Sequence, residues 1–283
     1  MSYLVLAVAS ALFLGVWKFG LSVYRGKVSM YAVILVSAAA AGVMYVVLGL
    51  LEQGFTLNRE DVPKGLAGGL LNFAGTLCIL KAFARGKVGI AVGVAALYIL
   101  VPLTYSLYLG EHATPRIGVG ILLLLAGLAT FYVPHMRDTG SPDRPNVRPT
   151  ILLALGAALF WGLAIVVLDV GTLTSLTGTM ATSQLPQLAI AGGVLVFAAG
   201  QSLQGVTRRV VAVLVGAGAA LALGNIAFFY ASNEGDIGVV SVIGAMSPMV
   251  TALLAAVFFK ERLGRSDYVA FAIVLVGAGL VVA

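Results

Sequence analysis

The chain has 283 residues, of which 60% are hydrophobic and 10% charged, with a mean hydropathy of +1.06 and a formal charge of +6. A soluble domain carries about 25% charged residues, so the composition excludes one and specifies a membrane protein. The single cysteine, Cys78, excludes an internal disulfide, and its apolar surroundings favour a buried thiol over redox chemistry.

A helix needs about 20 apolar residues to cross a hydrocarbon core, where its backbone groups must pair within the segment. Ten runs meet that requirement: 2–24, 28–51, 64–84, 88–109, 116–133, 150–170, 176–200, 209–231, 237–259 and 266–283. No β-barrel alternation is present. The first run lacks a preceding basic stretch and carries Lys18 late in its length, which reads as a retained span rather than a cleaved leader.

Positive charge is unevenly shared among the loops. Thirteen of the 17 basic residues fall in the loops after spans 1, 3, 5, 7 and 9, counting Lys81 and Lys260 with those loops; the even loops hold Arg59, Lys64 and Arg116. Such a bias fits membrane orientation better than nucleic-acid binding, and it predicts cytoplasmic odd loops with both termini outside.

Internal similarity organises the ten spans. "ALFLG" at 11–15 returns as "ALFWG" at 158–162, an offset of 147; "ARGKVG" at 84–89 returns as "NEGDIG" at 233–238, an offset of 149; Glu111 and Gly127 return as Glu261 and Gly277, an offset of 150. The expected organisation is two five-helix repeats, 1–133 and 150–283, joined by the proline-rich linker 134–149. Five is odd, so the second copy enters the membrane from the opposite side. The loop holding Arg85 and Lys87 and its copy holding Glu234 and Asp236 then lie in different compartments, which accounts for a shared glycine frame with reversed charge. Inverted repeats of this kind are common in secondary transporters; duplication that merely builds a stable bundle is the alternative.

The block "SPMVTALLAAVFFKERL" at 247–263 followed by "GAGLVV", its weaker partner "VPLTYSLYLGEHATP" at 101–115 followed by "AGL", and the "ALFLG" and "ALFWG" starts resemble the paired EamA domains of the drug/metabolite transporter superfamily. The resemblance runs over essentially the whole chain. It implies a ten-helix basket whose central cavity is lined mainly by spans 1, 3, 4, 6, 8 and 9, and transport, usually export, of amino acids, other metabolites or organic cations. Two departures stand out: Pro102 lies nine residues before Glu111 whereas Pro248 lies thirteen before Glu261, and Glu-His replaces the usual Glu-Arg at 111 and 112. Many members also carry a basic cytoplasmic tail, which is not expected after Val282 and Ala283.

Lys18 is the costliest residue to place, because a lysine central in a membrane helix costs about 2.5–3.5 kcal/mol on insertion scales. Either it snorkels toward Arg25, or it faces a cavity where it binds a substrate carboxylate and repels organic cations. Trp17 and Trp161, near matched places in spans 1 and 6, are either an aromatic belt or a cavity wall. Asn72 and Asn225 are amides for interhelical bonding or for substrate, as is Gln184 beside Pro186. Tyr98 and Ser247 occupy equivalent places near Pro102 and Pro248, where a missing N–H frees a carbonyl and kinks the helix; Pro102, Pro186 and Pro248 are the candidate kinks or gates. No carboxylate is central in a span, since Glu52, Glu111, Asp169 and Glu261 all fall near span ends, so transport driven by the substrate gradient is expected rather than proton coupling.

HExxH, GxSxG and P-loop motifs are absent, and His112 and His135 have no partners at ligand spacing. No catalytic residue, metal or cofactor is expected. The sequence therefore points to an all-α, ten-span protein of the cell inner membrane, an alternating-access carrier of small metabolites and most of all of amino acids. Export of hydrophobic cations is the alternative, and a non-transporting receptor or scaffold a further one. The expected partners are a small-molecule substrate and the lipid bilayer, with monomer or homodimer left open.

Overall fold

The computed structural model describes residues 3–24, 27–51, 55–86, 88–110, 147–197, 205–259 and 265–282, with 115–116, 118–120, 122–123, 126–127 and 129–130 between them. Glu52, Glu111, His112, His135, Glu261, most of the linker, and the basic residues Arg25, Lys87, Arg137, Arg144, Lys260 and Arg262 lie outside the described residues. The described residues contain no strand.

The helices are α1 (Tyr3–Ser22), α2 (Met30–Leu51), α3 (Asp61–Arg85), α4 (Val88–Ala95), a 3-10 turn (Ala96–Ile99), α5 (Leu100–Tyr108), α6 (Val147–Thr172), α7 (Leu176–Phe197), α8 (Arg208–Glu234), α9 (Ile237–Gly244), α10 (Ser247–Phe259) and α11 (Arg265–Val282). Eight stretches among the described residues are long and apolar enough to cross a membrane, α4 with α5 forming one and α9 with α10 another. The described residues between 115 and 130 are helical, and α11 holds a shorter apolar core, Tyr268–Gly277; these are the places of the fifth and tenth expected spans. The protein is thus an all-helical, polytopic membrane protein.

Local chemistry sets several boundaries. Asp61 sits in the first turn of α3, where the helix dipole favours an acid, and Lys64 one turn on pairs with it at 3.6 Å. Helix α3 therefore starts earlier than the apolar run alone indicates, and it takes in Lys64 and Lys81, both counted above as loop charges. Thr207 caps α8, its hydroxyl accepting the Val210 N–H at 3.3 Å. Helix α6 begins at Val147, inside the segment read as linker.

Pro102, Pro186 and Pro248 act differently in their helices. Pro248 is the second residue of α10, a first-turn position where its missing N–H costs nothing, and the chain breaks at Ala245 and Met246 just before it. Pro102 lies inside α5 and offers no donor to the carbonyl of Tyr98, and the turn holding Tyr98 tightens to 3-10. Helix α7, in contrast, runs through Pro186 without a break.

Packing follows an internal two-fold pattern. Helix α1 packs on α8 as α6 packs on α3; α2 meets α8 as α7 meets α3; α1 meets α10 as α6 meets α4; and α2 meets α7. Close approaches repeat residue by residue. A Cβ on Gly15 would lie 2.8 Å from the Ser247 carbonyl and 2.5 Å from Val250; on Gly162 it would lie 2.7 Å from the Tyr98 carbonyl and from Val101. Gly75 presses on Trp161 as Gly224 presses on Leu14, and Gly86 meets Thr150 as Gly235 meets Tyr3. Every one of these pairs obeys the offsets of 147 and 149 found in the sequence. Gly86 and Gly235 also share an extended backbone, each N–H reaching back to the carbonyl of Ala82 or Ala231. Their glycines are required by the neighbour each touches, since the extended conformation suits any residue. The "ARGKVG" and "NEGDIG" frames therefore mark equivalent helix ends.

Outer faces carry exposed Leu12, Val43, Leu50, Leu152, Leu159 and Phe258, as a lipid-facing surface requires. Small and hydroxyl side chains such as Ser10, Ser37, Gly68, Ala154, Ser241 and Thr251 turn inward, allowing backbones to approach closely.

Candidate functional site

A cavity of about 60 Å³ lies where α1, α3, α6 and α8 converge beside the 3-10 turn. Helix α1 contributes Leu14, Trp17 and Lys18; α3 contributes Asn72; the turn contributes Tyr98. Trp161, Ala164, Ile165 and Leu168 come from α6, and Leu221, Asn225, Phe228 and Phe229 from α8. No carboxylate among the described residues lines it.

Lys18 is 4% exposed, and its ammonium donates to Ser247 Oγ at 2.8 Å. It also lies 5.3 Å from the ring centre of Tyr98 and 5.4 Å from that of Trp161, within cation–π range of both. Tyr98 is hydrogen-bonded to Ser247 as well, so side chains from the two mirrored helix breaks meet beside Lys18. Of the two arrangements open to Lys18 in the sequence, the fold adopts the inward one. The physical cause is the crossing of α1 and α10: Gly15 lets the helices touch, Thr251 Oγ1 donates to the Gly15 carbonyl at 2.9 Å, and Lys18 lies nearly one turn further along facing Ser247.

Trp17 and Trp161 meet at 5.6 Å between ring centres with a 51° tilt, both nearly buried. They are in the cavity wall rather than in an interfacial belt. They are not equivalent by the internal symmetry, however: at the offset of 147, Trp161 corresponds to Leu14 and Trp17 to Ala164. Gly75 leaves the space that the Trp161 ring occupies. Neither indole N–H finds an acceptor among the described residues.

Asn225 is held by a bond from its Nδ2 to Tyr45 Oη, 2.9 Å away on α2. Tyr45 is wholly buried and was not singled out in the sequence; a phenol midway along an apolar span was the available signal. Phe228 and Phe229, in edge-to-face contact at 5.1 Å, were also missed, for nothing in their spacing distinguishes a cavity aromatic from a packed one. Gln184 lies away from this cavity. Its amide donates to Ser183 Oγ at 2.8 Å and accepts from Gln187 at 2.9 Å, on the groove between α2 and α7. Neither Pro102, Pro186 nor Pro248 lines the central cavity. Asp169, near the end of α6, accepts from Ser232 of α8 at 2.8 Å, an interhelical tie rather than a purely solvated position.

The symmetry brings matched positions to the cavity with unmatched chemistry. Lys18 stands opposite Ile165, and Asn72 opposite Leu221. A two-fold scaffold thus carries a one-sided polar set.

A multi-pass helical bundle with a central cavity defines the class: an all-helical, polytopic membrane protein. The sequence profile of the EamA-like transporter family matches residues 148–283, so the second half of the chain is similar to the domain of these membrane transporters of small molecules. A crystal structure of a protein 19% identical to this one superposes with a TM-score of 0.78, covering 98% of this chain and 94% of that chain; at this identity the likeness establishes the fold. No curated protein matches the sequence.

Proposed function

We propose that the two halves alternate access to the central cavity and carry small zwitterionic or anionic metabolites, foremost neutral amino acids, across the cell inner membrane. The observation that carries the reading is the Lys18 ammonium, buried in the cavity beside two aromatic faces. An ammonium in low dielectric attracts a carboxylate and repels an organic cation. Asn72 and Asn225 offer amides for the rest of a polar substrate, while Trp17, Trp161, Phe228 and Phe229 supply an apolar wall.

A volume of about 60 Å³ holds only a few waters, so a metabolite enters only when the halves part. No cavity carboxylate among the described residues provides a proton relay, which favours flux driven by the substrate gradient. Counterflow in proteoliposomes tests the reading, with one unlabelled amino acid, organic cation or sugar loaded at a time. Exchange of amino acids supports it. Exchange of cations alone removes it.

A further inference from the structure

The central cavity holds a buried cation and, among the described residues, no anion to pair with it. Lys18 is 4% exposed, and no described carboxylate pairs with it; its partners are a neutral hydroxyl and two aromatic rings. Those rings soften the ammonium's desolvation but cancel none of its charge. Two further donors, Trp17 Nε1 and Trp161 Nε1, are buried and have no acceptor among the described residues. Buried charges are ordinarily paired, because an unpaired one loses several kcal/mol of hydration.

Size narrows the choice of counter-ion. About 60 Å³ cannot take in a whole metabolite without movement of the walls, but it holds one monatomic anion. We infer that this conformation binds a halide, chloride in the cell, in the cavity beside Lys18, where substrate carboxylate and chloride compete for the same ammonium. The inference rests on the reading of this cavity as the substrate site. It adds a second ligand, which neutralises Lys18 when substrate is absent and so lets the empty carrier return.

The protein contains its own reporter. Trp17 and Trp161 are the only two tryptophans in the chain, and both line the cavity. The purified full-length protein is titrated with sodium chloride against sodium gluconate at constant ionic strength, following tryptophan emission. The expected result is a saturable change with chloride, none with gluconate, its loss in Lys18→Met and its retention in Lys18→Arg. Thermal unfolding of the unsubstituted protein gives a second readout, with chloride expected to raise the midpoint by a few degrees over gluconate.

An emission and a melting midpoint both indifferent to chloride overturn the inference, and so does a chloride response kept in full by Lys18→Met. Counterflow on the same preparation separates the two claims. Amino-acid exchange without any chloride response leaves the transport reading standing and removes the halide. A Lys18-dependent chloride response without carboxylate exchange does the reverse.

Discussion

Lys18 on α1 and Ser247 on α10 are 229 residues apart in sequence and 2.8 Å apart in space, joining the first helix of one half to a helix break in the other. This contact spans the interface that must open if the halves move. A substrate carboxylate that takes over the ammonium also releases one tie between them. Lys18→Met should lower amino-acid kcat/KM by about tenfold to a hundredfold, the worth of a charge-assisted bond, while Ser247→Ala has a smaller effect. Undiminished amino-acid flux in Lys18→Met removes the anion contact from the mechanism.

The mirrored crossings at Gly15 and Gly162 should respond alike to a single methyl group. Alanine at either place puts a Cβ within 2.8 Å of a backbone carbonyl, and overpacking of this kind costs about 1–3 kcal/mol. Gly216→Ala, which has nothing within 4 Å to meet, should instead be neutral or gain up to about 1 kcal/mol through helix propensity. Melting midpoints of the three variants in detergent compare them directly; equal midpoints would contradict the close-approach account.

Arg59, just before α3, and Arg209, in the first turn of α8, are both exposed and lie within one residue of equivalent places in the two halves. If the halves are inverted, Arg59→Cys and Arg209→Cys in a Cys78→Ala background label from opposite sides of the membrane. The charge bias puts Arg59 outside. Labelling of both by an impermeant maleimide applied to intact cells would rule out inversion, and labelling of Arg209→Cys alone would reverse the absolute orientation.

Tyr45 fixes the Asn225 amide at the cavity edge through one hydrogen bond. Tyr45→Phe should cost on the order of 1 kcal/mol of stability and raise KM more than it lowers kcat, because the amide is no longer held. A double-mutant cycle with Asn225→Leu should show a coupling of about 0.5–1 kcal/mol. Strictly additive effects would mean that the bond does not orient Asn225.

Much of this architecture is visible in one dimension because a bilayer imposes a simple rule: backbone groups must pair inside each span, so apolar length marks helices. The repeat was visible for a related reason. Two copies that pack by the same approaches keep glycine where each must pass a neighbour, as at Gly86 against Thr150 and Gly235 against Tyr3. Lys18, Asn72 and Asn225 stood out because polar groups are costly in hydrocarbon. Their orientation did not. Apolar residues surround these helices on every side, so no amphipathic stripe tells lipid from cavity, and only the crossing at Gly15 turns Lys18 toward Ser247. For the same reason the sequence set Trp17 and Trp161 near matched places, whereas the packing equates Trp161 with Leu14 and places the two indoles face to tilted face. Sequence alone determined that this is a helical, polytopic membrane protein, through hydropathy and spacing; tertiary structure decided which polar groups share a cavity, because that depends on contacts between helices far apart in the chain.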